Sequence, residues 1–243
     1  MSRFGSGLLR LVYGVYALPV FAALLVAATI LALLLPGLEL RRRVTRFFAR
    51  LGLAVLLIRL RVRGLSRLPG GSCVVVANHA SYLDGIVMKA ALPPRFSFVI
   101  KQEAQAAPLL GFLLRRIGSE FVDRSSHGGR QRDARRMMRR AAEGNSLVFF
   151  PEGTFATEPG LRRFHTGAFA TAARAGVPVV PSIIHGARRA LPNRAVVPRP
   201  GVIIVEVLAP LAPADHGASA ETLRDEARRQ IAERLEEPDL LHP

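Results

Sequence analysis

One long stretch without charged residues limits the choice of fold more than any other feature of this sequence. Residues 11–38 contain no Asp, Glu, Lys or Arg. A helix needs about 20 apolar residues to cross the roughly 30 Å hydrocarbon layer of a membrane, whereas the apolar core of a cleaved signal peptide has only about 7–15. The chain is therefore predicted to keep an N-terminal helical membrane anchor, and the length of the stretch disfavours a buried helix of a soluble core.

Positive charge is concentrated after this stretch. Two arginines, Arg3 and Arg10, precede it, and five follow it: Arg41, Arg42, Arg43, Arg46 and Arg50. The heavier positive flank predicts a protein of the cytoplasmic or inner membrane, with the rest of the chain on the cytoplasmic side. A second apolar patch, residues 51–58, is too short to span a membrane and is expected to lie in the interface, with the preceding arginines on anionic head groups.

Two arrangements of the anchor remain open at this stage. One is a tilted span followed by an interfacial segment, and the other is a two-helix hairpin that enters one leaflet and returns. In both, residues 1–58 form the anchor and residues 59–243 form one α/β domain, which is long enough to bury a core of its own.

Composition narrows the possible partners. The formal net charge of +16 comes almost wholly from arginine, since Lys89 and Lys101 are the only lysines. Such a charge suits nucleic acid, an anionic membrane or phosphorylated substrates equally. The absence of Trp and the presence of only three Tyr residues argue against a groove for single-stranded nucleic acid, and no nucleic-acid partner is predicted. No His/Cys spacing of the zinc type occurs, so no metal site is predicted.

The remaining sequence alternates between strand and helix patterns. Ile58–Arg63 alternates apolar and charged residues as a strand with one wet face does, and residues 74–76 form an apolar β-branched run typical of a strand buried on both faces. Further strands are predicted at 96–100, 119–122, 146–150, 177–184 and 202–207, and helices at 82–92, 108–117, 130–144, 168–175 and 221–235. This order predicts a mixed central sheet flanked by helices.

A histidine and a carboxylate follow the buried strand at 74–76. His79 lies just after the carboxyl end of the strand, where ligands bind in open α/β sheets. Asp84 lies in the first turn of the next helix. A carboxylate that accepts the Nδ1 proton of a histidine fixes the tautomer and leaves Nε2 as a base. The spacing alone also fits a loop histidine that caps local backbone beside a helix-starting Asp.

Four segments together resemble, in order, the four sequence blocks of the glycerolipid acyltransferases of the 1-acyl-glycerol-3-phosphate acyltransferase type. They are Asn78-His79-x-x-x-x-Asp84, Phe121-Val122-Asp123-Arg124, Phe150-Pro151-Glu152-Gly153-Thr154 and Val177-Pro178-Val179-Val180-Pro181. The blocks cover residues 61–207, which is most of the region after the anchor. The resemblance implies the α/β fold of this family.

The resemblance also implies roles for single residues. His79 would be the general base, and Asp84 would orient it. Arg124 would hold the acceptor phosphate, because a guanidinium offers two-pronged hydrogen bonds to phosphate, although a surface arginine or an ion pair to Asp123 is the alternative. The other substrate-binding residues would be Asn78, Lys101, Glu152, Gly153 and Thr154. Lys101 fits a solvated lysine at a strand end equally well.

The function that follows is transfer of a fatty acyl group from an acyl thioester to the free hydroxyl of 1-acyl-glycerol-3-phosphate, giving phosphatidic acid. The donor would be acyl-CoA or an acyl carrier protein, used as substrate, with no bound cofactor. Backbone N–H groups near the His79 loop are expected to stabilise the oxyanion. Two alternatives remain: an acyltransferase for lyso-ornithine lipid or another lysophospholipid, and a non-catalytic basic membrane-bound interaction protein in which residues 78–84 are only structural.

Overall fold

A seven-stranded mixed sheet forms the centre of the protein, as predicted. The computed structural model describes residues 3–123, 126–154, 157–193 and 195–241. The strands are β1 (Ile58–Arg63), β2 (Val74–Ala77), β3 (Phe96–Lys101), β4 (Glu120–Val122), β5 (Ser146–Phe149), β6 (Val179–His185) and β7 (Gly201–Val207). All seven predicted strands are present, and their ends differ from the predicted bounds by at most two residues.

The strand order decides which loops meet. In space the order is β1-β7-β6-β2-β5-β3-β4. Strands β6, β2, β5, β3 and β4 are mutually parallel, whereas β7 runs antiparallel to β6 and parallel to β1. The carboxyl ends of β2, β5 and β3 therefore lie at one edge of the sheet, and the segments that follow them are brought together there.

Helices cover both faces of the sheet. They are α1 (Arg3–Leu34), α2 (Leu38–Val55), α3 (Leu83–Ala91), α4 (Pro108–Arg116), α5 (His127–Ala142), α6 (Gly167–Ala175), α7 (Ala187–Ala190) and α8 (Ala220–Ala232). Strand β2 shows why the sheet is buried on both sides: Val75 packs in one apolar cluster with residues of α2 and α3, and Val74 and Val76 pack in another with residues of α5, α6 and α8. A continuous apolar run suits such a strand, since neither face meets water.

The first two helices form an antiparallel hairpin. Near the start of α1, the Tyr13 hydroxyl donates to Leu56 O at 2.7 Å and the Tyr16 hydroxyl donates to Val55 O at 3.3 Å, so the start of α1 lies beside the end of α2. The turn between the helices contains Gly37, whose φ is 72°. The apolar residues 51–55 are the last part of α2 and do not form a separate interfacial segment, because the arginine-rich stretch before them continues the same helix.

Helix α1 lies along the rest of the protein. A Cβ at Gly14 would stand 3.2 Å from Val197, close to the start of the helix. Near its end, the Arg116 side chain donates to Ala32 O at 3.2 Å and to Leu33 O at 2.9 Å. These contacts are about 30 Å apart along the helix axis. Residues 11–34 have a mean hydropathy of 2.6, which by length and composition suits a membrane span, and most of them are exposed.

Three arginines of α2 bind oxygen atoms of the rest of the protein. Arg46 donates to Ala90 O and Ala91 O, and Arg50 donates to Ala90 O, so both cap the carboxyl end of α3. Arg42 is 7% exposed and binds main-chain and hydroxyl oxygens around β3 and the end of α4. The prediction that the arginines before residue 51 meet anionic head groups is therefore wrong for Arg42, which is buried inside the protein.

Candidate active site

The loop that follows β2 brings His79 and Asp84 into contact. His79 Nδ1 lies 2.8 Å from Asp84 Oδ2, and the Asp84 side chain is fully buried. The same oxygen accepts the main-chain N–H groups of Ala80, at 2.7 Å, and Ser81, at 2.8 Å. Acceptance of several N–H groups favours a carboxylate, which in turn favours a proton on Nδ1. The two residues thus form the pair that the sequence predicts, and Nε2 is the nitrogen that can accept a proton.

The imidazole of His79 stacks on a neighbouring aromatic ring and faces a cavity. Its ring stacks on Phe150, with 4.4 Å between the ring centroids and an angle of 22° between the planes. The side chain is 19% exposed and lines the cavity described below. Phe150 follows β5 directly, so the neighbouring strand of the sheet supplies the surface against which the ring lies. This arrangement restricts the orientation of the ring.

Side chains from both neighbouring strands fix the main chain of the His79 loop. On one side, Asn78 Oδ1 accepts Ile184 N at 2.7 Å and Nδ2 donates to Ile184 O at 3.1 Å, so the amide continues the pairing with β6 where β2 has ended. On the other side, Glu152 Oε1 accepts His79 N at 2.6 Å and Oε2 accepts Arg162 N at 3.0 Å. The loop is therefore held between β6 and the segment after β5.

Two of the residues predicted to bind substrate serve this purpose. Asn78 is 2% exposed and Glu152 is 4% exposed, and their polar atoms bind main-chain groups of the protein. An exit loop between two strands needs partners for its own backbone, and these two side chains supply them. Contact of Asn78 and Glu152 with substrate stays a prediction. Burial raises the pKa of the Glu152 carboxyl, and the N–H groups of His79 and Arg162 act in the opposite direction.

Three of the other four predicted substrate residues line the cavity. Gly153, Thr154 and Lys101 line the same cavity as His79. Gly153 has a φ of 78°, the left-handed conformation that its place after β5 predicts. Lys101 is the last residue of β3 and is exposed. Arg124 lies outside the described residues.

A deep apolar cavity of about 890 Å³ opens beside His79. Its walls come from β3, α3 and α4 and also from both helices of the N-terminal hairpin, which contribute Phe21, Leu24 and Phe48. Leu110, Leu113 and Leu114 of α4 line it as well, in agreement with the amphipathic pattern of residues 108–117. A second cavity of about 340 Å³, beside Arg67 and Arg229, contains none of the predicted site residues.

Three N–H groups of the His79 loop already have partners in the protein. The N–H of His79 donates to Glu152, and the N–H groups of Ala80 and Ser81 donate to Asp84. The prediction that N–H groups of this loop stabilise an oxyanion is therefore wrong for these three residues, because each already binds a carboxylate.

Lys89 is a polar residue of the cavity that sequence reasoning missed. It lies on α3 and lines the cavity, and its amine is 5.8 Å from the centroid of the Phe98 ring. Burial, with the nearby positive charges of Arg42 and Arg46, lowers the pKa of the Lys89 amine to about 7. Its spacing from Leu83 and Ile86 on the predicted helix could have placed it on the cavity face.

Fold and site define an α/β protein with a histidine–aspartate pair at the carboxyl edge of its sheet and an apolar cavity beside it. Residues 59–185, just over half of the chain, match the model of the Acyltransferase family. The chain belongs to this family, as the four sequence blocks predict.

Individual relatives agree with this assignment. The chain is 31% identical over 201 residues to a chloroplastic 1-acyl-sn-glycerol-3-phosphate acyltransferase of Brassica napus, covering 80% of this chain and 57% of the relative. It is 37% identical over 166 residues to the lyso-ornithine lipid O-acyltransferase of Pseudomonas aeruginosa, covering 65% and 61%. The chain thus spans less than two thirds of the length of these curated relatives.

A solved structure has the same fold. The 1-acyl-sn-glycerophosphate acyltransferase PlsC of Thermotoga maritima superposes with a TM-score of 0.79 and 21% sequence identity, and the match covers 93% of this chain and 95% of that one. The similarity therefore includes the N-terminal hairpin as well as the sheet.

Proposed function

We propose that this protein is an O-acyltransferase that moves a fatty acyl group from an acyl thioester to the free hydroxyl of a lysophospholipid, with 1-acyl-glycerol-3-phosphate as the acceptor. The observation that carries the proposal is the His79–Asp84 pair, 2.8 Å apart, at the mouth of an apolar cavity. The cavity suits an alkyl chain, and the pair suits removal of a proton from an alcohol. The names of the Brassica napus and Thermotoga maritima relatives support this acceptor.

The proposed reaction needs one base and no covalent enzyme intermediate. His79 Nε2 takes the hydroxyl proton of the acceptor as the alkoxide oxygen attacks the thioester carbonyl. Asp84 stabilises the imidazolium that results, since its carboxylate accepts the Nδ1 proton. Collapse of the tetrahedral intermediate forms the ester bond and breaks the carbon–sulfur bond. The thiolate leaves and receives the proton from His79, which returns the imidazole to its starting state.

Positive groups at the mouth suit the anionic parts of both substrates. Lys101 lines the cavity, and Arg124 remains our candidate for the acceptor phosphate on the resemblance alone. The donor is acyl-CoA or an acyl carrier protein. A second acceptor deserves a test because the Pseudomonas aeruginosa relative, at 37% identity, is named for lyso-ornithine lipid, which has no phosphate.

The hairpin supports the re-entrant form of the membrane anchor. Helix α1 contacts the rest of the protein near both of its ends, and a perpendicular span would draw those contacts into the hydrocarbon layer. Its outward side chains are large and exposed, with Val15 at 70% and Leu34 at 71%, and Phe47 of α2 is 60% exposed. We infer that this surface enters one leaflet, and the positive flank still predicts the cytoplasmic side. An acceptor with one acyl chain would then reach the cavity laterally.

The direct test of the function is product analysis. Purified full-length protein is given a panel of lysophospholipids and lyso-ornithine lipid, each with palmitoyl-CoA and with palmitoyl carrier protein, and the products are identified by mass spectrometry. Phosphatidic acid from 1-acyl-glycerol-3-phosphate is expected. Absence of acylated product with every acceptor and both donors would refute the proposal, and selective acylation of lyso-ornithine lipid would favour the second candidate.

Substitution of Arg124 separates the two acceptors. Arg124→Ala is expected to raise KM for 1-acyl-glycerol-3-phosphate by about 10- to 100-fold, because a charge-assisted bond to phosphate contributes about 1.5–3 kcal/mol. It should leave KM for an acceptor without a phosphate monoester nearly unchanged. Equal effects on both kinds of acceptor, measured in steady-state assays, would show that Arg124 does not hold the phosphate.

Substitution of Glu152 distinguishes positioning from acceptor binding. An amide has one acceptor oxygen, so Glu152→Gln loses one of the bonds to His79 N and Arg162 N. We expect kcat to fall by about 10- to 100-fold, because small misplacements of a reacting group cost that much. KM for the acceptor should change little. A rise in KM with an unchanged kcat would mean that Glu152 binds the acceptor, as the resemblance implies.

A further inference from the structure

Lys89 places an amine inside the apolar part of the cavity. It follows Leu83 and Ile86 along one face of α3, and all three side chains line the cavity. The aromatic ring of Phe98 lies 5.8 Å from the amine. In the described ranges of the chain the amine makes no hydrogen bond or ion pair. An amine without a hydrogen-bond acceptor is an unusual lining group for a cavity whose other side chains suit a hydrocarbon chain.

Two elements give the depth of Lys89 below the catalytic pair. Along α3, Lys89 is six residues beyond Leu83, which corresponds to about 9 Å. Along β3, Phe98 is three residues before Lys101 at the mouth, which corresponds to about 10 Å. The backbone of Lys89 and the backbone of Phe98, whose ring lies 5.8 Å from the amine, are therefore both roughly 10 Å from the reacting end of the cavity. A short acyl chain whose thioester is at His79 ends before Lys89, whereas a long one must pass it.

The surroundings favour the neutral amine. Helix α2 presents Arg42 and Arg46 to Lys89, and these charges with burial hold the pKa of its amine at about 7. On α3 itself, the carboxylate of Asp84 is bound to His79 and two main-chain N–H groups. Strand β3 presents the ring of Phe98, and α4 presents leucines. A passing alkyl chain removes water from the amine, which disfavours the ammonium form further.

We propose that Lys89 determines acyl-chain selectivity in a pH-dependent way, so that a chain long enough to pass it binds well only when its amine is neutral. The proposal rests on the proposed function, because it concerns the donor of that reaction. Binding of a long chain is coupled to loss of the proton from Lys89 to solvent. Preference for long over short donors therefore rises with pH, and it levels off once the amine is neutral.

The test is a ratio of specificity constants. kcat/KM is measured for palmitoyl and hexanoyl thioesters, on CoA or on acyl carrier protein, whichever carrier supports turnover, between pH 6 and pH 8. The chemical step at His79 is common to both donors and cancels in the ratio. With a pKa of about 7, the neutral fraction of Lys89 rises from about one tenth to about nine tenths, so the palmitoyl-to-hexanoyl ratio is expected to rise about tenfold.

Two substitutions of Lys89 assign the effect to the amine. Lys89→Met has a side chain of similar length and no charge, and its ratio should be independent of pH and as high as that of the unmodified protein at pH 8. Lys89→Arg keeps its charge across this range, and its ratio should stay low. Arg43→Met is the matched control, since Arg43 is exposed on α2, pairs with Glu39 and does not line the cavity. It should behave as the unmodified protein does.

Three results would overturn the proposal. The palmitoyl-to-hexanoyl ratio of the unmodified protein could be independent of pH, the ratio of Lys89→Met could depend on pH as that of the unmodified protein does, or Arg43→Met could lose the pH dependence. If a variant lacks turnover, binding of palmitoyl-CoA to its His79→Ala form at the two pH values gives the same comparison without chemistry. Absence of transfer from both donors by the unmodified protein would refute the proposed function itself and is thus distinct from failure of the Lys89 proposal.

Discussion

Substitution of His79 by alanine is expected to lower kcat by about 10²- to 10⁴-fold, the range that a positioned general base contributes. The ring is 19% exposed and packs on one face of Phe150, so its removal leaves no large buried cavity. Thermal stability and attachment to lipid vesicles should therefore be retained. Turnover is measured with palmitoyl donor and 1-acyl-glycerol-3-phosphate, and attachment by co-sedimentation with vesicles.

His185→Ala is the control for this substitution. His185 ends β6, is half-buried and does not line the large cavity. Its loss should leave turnover unchanged. If His79→Ala turned over as fast as the unmodified protein, the chain would fit the non-catalytic alternative. Asp84→Asn should also lose turnover, because an amide cannot accept from Nδ1, Ala80 N and Ser81 N together, but it disturbs the loop as well and is a less selective test.

Substitution of Arg42 by methionine is expected to reduce the free energy of unfolding by at least about 1–3 kcal/mol, the cost of leaving a buried acceptor without its donor. The guanidinium of Arg42 donates to four oxygens: Ile117 O, Arg95 O, Ser97 Oγ and Gly118 O. These oxygens would be left without this donor in a region that water reaches poorly, since Arg42 is 7% exposed. A lower unfolding temperature, measured in the same detergent for all variants, is the readout.

The neighbouring arginine offers a matched control. Arg43 is exposed and pairs with Glu39 on the same helix, an interaction that contributes about 0.3–0.5 kcal/mol. Arg43→Met should therefore change stability little. Equal stabilities of the two variants would mean that Arg42 does not join the hairpin to the sheet. The contrast between adjacent arginines also removes the general effect of net charge from the comparison.

The sheet was predictable because its strands are short, apolar and separated by clear turn signals. Strand β1 was evident from strict alternation, and β2 from three β-branched residues in a row. Strand β6 was harder, since Pro181 lies inside it and supplies no donor. The structure accommodates this proline because its carbonyl still accepts Leu208 N at 2.9 Å. Residue patterns therefore predicted the class of fold, while strand order came only from the structure.

The candidate site was predictable in part. His79, Lys101 and Glu152 each follow or end a parallel strand, so they meet at the carboxyl edge of the sheet in any strand order that keeps these strands adjacent. The location of the site therefore followed from topology. The backbone contacts of Asn78 and Glu152 did not follow, because a sequence cannot show which polar atoms the backbone itself uses. Arg42 was misread for a related reason: a positive side chain after an apolar stretch suits head groups and carbonyl oxygens equally, and only packing decides.

The N-terminal hairpin supplies a wall of the substrate cavity as well as an apolar outer surface. Trimming these helices to obtain a fragment that stays in solution would open one side of the pocket to water, and the range of fatty chains such a fragment accepted would not represent the parent protein. Changes in Phe21, Leu24 or Phe48 would alter the shape of this cavity while leaving His79 in place. With the proposed activity, sequence variation in these membrane-anchor helices would then also change the composition of the lipids produced.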